Sequence, residues 1–265
     1  MFNKMLLILS CACVMSTCCV QNITAVNIIN DKVNATYNCA YDINGRVIYS
    51  SAWDKAYEAE WAALAAYENA RLTTDKHVAN SMYTKAIKNI NLAISIVPEL
   101  AENHLLASQI YRYRGGLSYA RNYFSKACKL YEQQLKEYPE SITLNLQYAI
   151  ACYAGDARYY SDYNDYKVRA YLHADKTIKL LDDLPVEEKD VLVPKLLAYV
   201  ILQDYVQAEK IAKRINYVCV KNSLEYTLAE QYRQFTANGK WLWQVSSTEN
   251  AEKDFLLYYI NEWGI

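Results

Sequence analysis

The chain has 265 residues, with 28 basic and 29 acidic side chains and a formal net charge of −1. A nucleic-acid-binding protein needs a concentrated basic surface to displace counterions from phosphates, so this balance argues against that class. Hydrophobic residues make up 53% of the sequence and charged residues 22%, which excludes a disordered chain and allows a sizeable core.

Turn-forming residues are scarce, with 6 glycines and 4 prolines in the whole chain. Sandwiches, barrels and doubly wound sheets use many glycine-rich turns. The sequence therefore predicts an all-α fold of long helices with short connections. Only Gly115 and Gly116 are adjacent glycines, and no GxGxxG or P-loop pattern occurs.

The first 25 residues are predicted to be an export leader. Lys4 precedes an uncharged apolar run from Met5 to Val20, which is short for a membrane span and typical of a signal peptide. A cysteine at the end of such a run resembles the lipidation site of bacterial lipoproteins, which implies a membrane tether. The candidate lipidation residues are Cys11, Cys13, Cys18 and Cys19. Cleavage without a lipid, after Ala25, is the alternative.

Four further cysteines follow the leader: Cys39, Cys128, Cys152 and Cys219. Four thiols in an exported protein allow three pairings, and the sequence does not choose between them. The last three lie in apolar helical runs, where a free cysteine behaves as a small hydrophobic residue. No CxxC motif occurs, so neither a metal knuckle nor a thioredoxin-like site is predicted.

An internal repeat becomes visible when the chain is offset by 34 residues. Four positions in the segment 85–98 then coincide with four later ones of the same kind: Ala86, Ile90, Ala93 and Ile96 with Ala120, Phe124, Ala127 and Leu130. With Pro98 closing the segment, the pattern resembles the second helix of a tetratricopeptide repeat. The resemblance implies an α-solenoid of antiparallel helix pairs, with about four repeats and capping C-terminal helices.

The predicted helices follow in chain order. They cover residues 52–72, 78–96, 101–114, 119–138 and 142–153, and the tail gives two more over 223–235 and 251–263. Between them, a helix containing Ala170, Ala174 and Thr177 is predicted as the second helix of a third repeat. A fourth repeat is predicted from Leu196, Leu197, Tyr199 and Val200 in its first helix and from Ala208, Ala212 and Ile215 in its second. The corresponding division is a leader over 1–25, an extended segment over 26–50, helical repeats over 51–222 and capping helices over 223–265.

No constellation for catalysis stands out. The three histidines, His77, His104 and His173, lie in no metal-ligand spacing, and no GxSxG or SxxK pattern is present. Paired acids such as Asp182 and Asp183 lie in a predicted solvated loop. The sequence therefore predicts a protein that is not an enzyme and that holds no cofactor or metal.

Two regions are candidates for partner binding. Residues 155–167 form a predicted insertion in the third repeat that is rich in tyrosine, including Tyr160 and Tyr163. Tyrosine supplies contact area with few rotors to freeze. The tetratricopeptide resemblance also implies an inner groove lined by the first helices. That groove would present Gln109, Arg112, Tyr113, Thr143 and Tyr153, without the Lys/Asn pattern of carboxylate-clamping members.

These features resemble bacterial envelope lipoproteins with tetratricopeptide repeats. We expect an exported, membrane-tethered scaffold that binds a protein or peptide partner in the cell envelope and does not bind nucleic acid. The alternative is a periplasmic small-molecule-binding subunit associated with a transporter, with its ligand in a tyrosine-lined hole. A third interpretation, eukaryotic secretion, depends on the sequons at Asn22 and Asn34. The oligomeric state stays open.

Overall fold

The computed structural model describes residues 40–41, 47–48, 51–155, 163–183, 188–238, 253 and 255–257. Within them, two short strands precede nine helices. The strands β1 (Ala40–Tyr41) and β2 (Val47–Ile48) pair antiparallel. The helices are α1 (Ser51–Leu72), α2 (Lys76–Ile96), α3 (Ala101–Arg114), α4 (Leu117–Glu137), α5 (Ile142–Ala154), α6 (Tyr163–Asp182), α7 (Glu188–Ile201), α8 (Tyr205–Val218) and α9 (Leu224–Asn238). The prediction of an all-α fold is confirmed.

The helices pack in adjacent pairs along the chain. The pairs are α1–α2, α3–α4, α5–α6 and α7–α8, and α9 packs on α8. We call α1, α3, α5 and α7 the first helices, and α2, α4, α6 and α8 the second helices. First helices of neighbouring pairs also touch, as α1 does with α3 and α5 with α7.

Equivalent positions recur at one spacing along every second helix and its C-terminal cap, with steps of four, three and four residues, and the first position is alanine in each. The positions are Ala86, Ile90, Ala93 and Val97; Ala120, Phe124, Ala127 and Tyr131; Ala170, Ala174, Thr177 and Leu181; and Ala208, Ala212, Ile215 and Cys219. All are buried except Cys219, which is half-buried. Alanine at the first of these positions lets the paired helices approach closely. The 34-residue offset relates equivalent positions of α2 and α4, and α6 and α8 use the same spacing within the helix at longer offsets along the chain.

Capping residues in the sequence set the helix ends. The Asp75 carboxylate accepts hydrogen bonds from the backbone N–H groups of His77 (2.8 Å) and Val78 (3.2 Å) at the start of α2. Gly115 ends α3 with φ +94°, the left-handed conformation that glycine adopts without strain. Ser141 caps α5 through its hydroxyl oxygen, which accepts from the Leu144 N–H at 3.3 Å.

Two boundaries differ from the sequence prediction. Helix α6 begins at Tyr163, so the insertion predicted over 155–167 is shorter than expected. The reason is packing: the Tyr166 ring meets Phe124 edge-on at 5.3 Å and holds the first turns of α6 against α4. Helix α7 begins at Glu188 and contains Pro194. Pro194 is the seventh residue of α7 and removes one backbone hydrogen bond, and the helix continues through it.

The core extends through most of the described chain. One apolar cluster joins α3 to α9 and includes Phe255, Leu256 and Leu257; the Phe255 ring lies 6.4 Å from that of Tyr232. A second cluster joins α1, α2 and α3. The leader, its candidate lipidation cysteines and Cys39 lie outside the described residues. No helix in the described part of the chain is both long and apolar enough to cross a bilayer.

Candidate binding site

The structure separates the five predicted groove residues into two groups. Gln109 is 5% exposed, Thr143 5% and Tyr153 8%, whereas Arg112 and Tyr113 at the end of α3 are half-buried. Every residue of α5 is buried, because α5 lies at the centre of the main core. A partner could therefore reach the end of α3 but not Thr143 or Tyr153 in this structure.

Aromatic and cationic groups meet at the end of α3. The Tyr113 ring meets the Tyr67 ring of α1 edge-on at 5.7 Å. The guanidinium carbon of Arg71 lies 4.9 Å from the centroid of Tyr113, and that of Arg112 lies 5.4 Å away. Arg71 also forms an ion pair with Glu68 at 3.2 Å. Tyr113 thus packs partly in the core, while Arg112 lies at its edge.

The other predicted tyrosines are placed differently. The Tyr153 hydroxyl accepts a hydrogen bond from the Gln203 amide at 3.0 Å, and the ammonium group of Lys253 lies 5.9 Å from its ring centroid. Tyr153 therefore connects α5 to the α7–α8 turn and to the C-terminal part of the chain. Tyr163 begins α6, but its side chain and the whole of Tyr160 lie outside the described residues.

A pair of acidic side chains lies where α1 and α3 run side by side. Ala56 of α1 packs with Val97 and Leu100, directly before α3, while Tyr67 packs on Tyr113 at the far end of α3. The two helices therefore run in the same direction. Since Glu60 is one helical turn after Ala56, it lies alongside the first turn of α3, which carries Glu102.

Burial controls the ionisation of both acids. Burial and the nearby Glu102 carboxylate raise the pKa of Glu60 to about 8. Burial also raises the pKa of Glu102, and this is partly offset by its own backbone N–H and by Gln147. No cation among the described residues pairs with the Glu102 atom Oε2, which is buried and accepts no hydrogen bond there. The pair therefore carries less than two negative charges near neutral pH.

Gln147 of α5 completes this site from the next first helix. Its side chain is 2% exposed, and its amide lies beside the Glu102 carboxyl, where it favours the ionised form. In the described part of the chain, however, neither of its polar atoms reaches hydrogen-bond geometry with any group. We call Glu60, Glu102 and Gln147 the acid-pair site. A buried amide without a partner costs about 1–3 kcal/mol, and the described residues leave this amide unsatisfied.

A second polar cluster joins α4, α5 and α6 and is satisfied internally. The Tyr148 hydroxyl donates to the Glu132 carboxylate at 2.6 Å, and Arg169 donates to both groups. His173 and Asn145 are hydrogen-bonded at 2.7 Å between Nδ1 and Oδ1. Burial lowers the pKa of His173, which keeps its ring neutral near pH 7, and burial raises the pKa of Tyr148. This cluster acts as a clamp between helices.

The described residues provide little for catalysis or metal binding. Cys128 and Cys152 are buried neighbours on α4 and α5; contact with Cys152, burial and nearby charges together raise the pKa of the Cys128 thiol, so it is a poor nucleophile. No three His, Cys, Asp or Glu side chains converge as metal ligands within the described part. The acid-pair site can bind a positive charge or exchange a proton.

Sequence reasoning missed the acid-pair site. Glu60 and Glu102 are two of 29 acidic residues, and neither belongs to a known motif. One signal was present: Glu60 lies on the stripe Ala56–Glu60–Leu64–Tyr67, whose other members are apolar and buried. A lone carboxyl on an apolar helix stripe marks a buried charge. Comparison with protein-family models, curated proteins and solved structures gives no match.

Proposed function

We propose that this protein is an exported, membrane-tethered helical-repeat scaffold of the tetratricopeptide type, which binds a protein or peptide partner in the bacterial cell envelope. The observation that carries the proposal is the spacing that recurs along the second helices. The second helices of four successive pairs use the same four-three-four spacing, which starts from a buried alanine in each. Pairs built and stacked in one way are what a solenoid requires.

The contacts between helices support a curved arrangement with the first helices inside. First helices of neighbouring pairs touch each other, in α1–α3 and again in α5–α7. Helices on the inner side of a curved stack are closer than those on the outer side, and the concave surface is where such repeats bind their partners. The half-buried Arg112 and Tyr113 lie on that layer. The scaffold offers contacts that are already positioned, so little affinity is lost in ordering them.

Export and tethering are supported by the leader pattern. The uncharged run from Met5 to Val20 and its cysteines have the composition of a lipoprotein leader. A tether at the membrane would restrict partners to proteins of the envelope.

Intact mass of the native protein extracted from membranes, with affinity-captured partners identified alongside, tests this proposal. We expect the mass of a chain that begins at Cys11, Cys13, Cys18 or Cys19 and carries acyl groups, because the leader is removed when the cysteine is modified. We also expect a defined envelope protein in stoichiometric amount.

The same measurement can contradict the proposal in two separable ways. A mass that retains Met1 without modification would remove export and tethering and leave the scaffold intact. Recovery of the bait alone, from membranes and from soluble fractions alike, would remove partner binding.

A further inference from the structure

We propose that the acid-pair site binds a cationic side chain, lysine or arginine, from an extended segment of the partner. The inference rests on the proposed scaffold function and names the chemistry of the segment that the scaffold receives. The positive group would lie between the carboxylates of Glu60 and Glu102, with the Gln147 amide oxygen accepting one of its N–H groups.

Three successive first helices build the site. Glu60 comes from α1, Glu102 from the first turn of α3 and Gln147 from α5. The parallel run of α1 and α3, fixed by Ala56 at one end and Tyr67 at the other, brings the two carboxyls to one level. The site therefore extends across neighbouring helix pairs, as a bound segment would.

The acid-pair site contains buried polar atoms that lack hydrogen-bond partners among the described residues, and a bound cationic group would supply them. Glu102 Oε2 and both polar atoms of Gln147 are buried without a hydrogen-bond partner among the described residues. The Gln147 side chain lies beside Glu102. Glu60 and Glu102 are both half-buried, so part of each residue remains accessible to solvent.

The charges at the acid-pair site favour binding of a cation over a purely structural role. The charged group that acts on Glu60 among the described residues is the carboxyl of Glu102, which has the same sign. Two like acids with no cation between them are costly to bury. A guanidinium or ammonium group brings a positive charge and several N–H donors, which ionised carboxylates and the amide oxygen accept.

The oxygen count favours an organic cation over a metal ion. Calcium takes six to eight oxygen ligands and magnesium six, whereas the site provides two carboxyls and one amide. No cluster of three metal-ligating side chains occurs in the described part of the chain. A lysine or arginine side chain also carries an apolar stem, which suits the surrounding Ala56 and Leu64.

The side-chain amide of Gln147 provides the direct readout. We would titrate the purified protein at pH 7 with the capped tripeptides Ala-Lys-Ala and Ala-Arg-Ala and follow that amide by NMR. The isosteric peptide Ala-norleucine-Ala and Ca²⁺ serve as separate arms. We expect saturable shifts of the Gln147 amide with a cationic peptide only. Binding should release protons, because a cation favours ionised Glu60 and Glu102.

Matched variants separate the carboxylates from general electrostatics. Glu60→Gln and Glu102→Gln should each weaken binding roughly tenfold or more, equivalent to about 1.4 kcal/mol. Glu58→Gln, an exposed position on α1, should leave it unchanged. Glu60→Gln removes the charge and keeps the shape, so the variant should remain folded.

Several outcomes would overturn the inference. They are an unshifted Gln147 amide in every arm, a response to calcium alone, an equal response to norleucine, or binding that survives both glutamine variants. None of these outcomes contradicts the proposed scaffold function, which is tested by capture of an envelope partner. A captured partner with no cationic-peptide response would reject the cation site alone.

Discussion

At the scale of single residues, ionisable groups between the helices either pair with one another or lack a partner among the described residues. Arg169, Glu132 and Tyr148 satisfy one another across three helices. Glu60 and Glu102 have no comparable partner among the described residues. Since burial of an unpaired charge is unfavourable, the first group contributes to the connection between helices. The second creates a dependence of stability on pH.

Glu60 is expected to make the protein less stable as pH rises. The pKa of Glu60 is about 8 in the folded chain and near 4.5 when unfolded, so between these values the unfolded state holds fewer protons. The free energy of unfolding should fall through this window by at most about 1.4 kcal/mol per pH unit for this group. Glu60→Gln should flatten that slope, measured by urea unfolding at several pH values, whereas Glu58→Gln should retain it. An unchanged slope in Glu60→Gln would place the raised pKa elsewhere.

At the scale of helices, the sequence predicted which helices exist better than it predicted where each helix begins and ends. Helix α3 was expected over 101–114 and is found at Ala101–Arg114, because its periodicity is strong and Gly115 ends it. Helix α6 starts earlier than its alanine pattern indicates, since tertiary packing of Tyr166 on Phe124 extends it. Contacts of that kind join residues distant in sequence, so a local pattern cannot reveal them.

The glycine at the end of α5 provides a test of that packing. A Cβ at Gly155 would collide with the Ala151 carbonyl oxygen and with the Phe124 ring, whose Cδ2 would lie 3.0 Å away. Gly155→Ala should therefore lower the free energy of unfolding by about 1–3 kcal/mol.

Gly115→Ala is the matched control. It meets nothing within 4 Å, but φ is +94°, and the cost should be about 1 kcal/mol. Urea unfolding of both variants gives the comparison. A Gly155→Ala variant as stable as the native protein would show that the end of α5 is not held against α4.

At the scale of the whole molecule, repetition organises the structure. The all-α class could be predicted from composition, and the nine helices of the described residues confirm it. The 34-residue offset relates equivalent buried positions of α2 and α4. The binding residues were harder to predict, because their identity depends on which face of each helix remains exposed after the helices pack. Thr143 and Tyr153 belong to α5, in which every residue is buried. A helix in the middle of a stack offers no periodicity that distinguishes a groove from a core.

The acid-pair site could not be predicted from the sequence either. Its residues come from α1, α3 and α5 and are separated by more than forty positions along the chain. Glu60 meets Glu102 because α1 and α3 run in parallel, and Gln147 lies beside Glu102. Partner binding on this layer is the central claim of the account.

Quantitative partner capture with the Arg112→Ala variant tests that claim most directly. Arg112 lies at the edge of the first-helix layer, whereas Arg121 is exposed on the second helix α4. We expect Arg112→Ala to recover roughly tenfold less partner, with helicity and melting temperature close to those of the native protein. Arg121→Ala should recover the native amount. Equal recovery by both variants, or a loss confined to Arg121→Ala, would contradict binding on the first-helix layer.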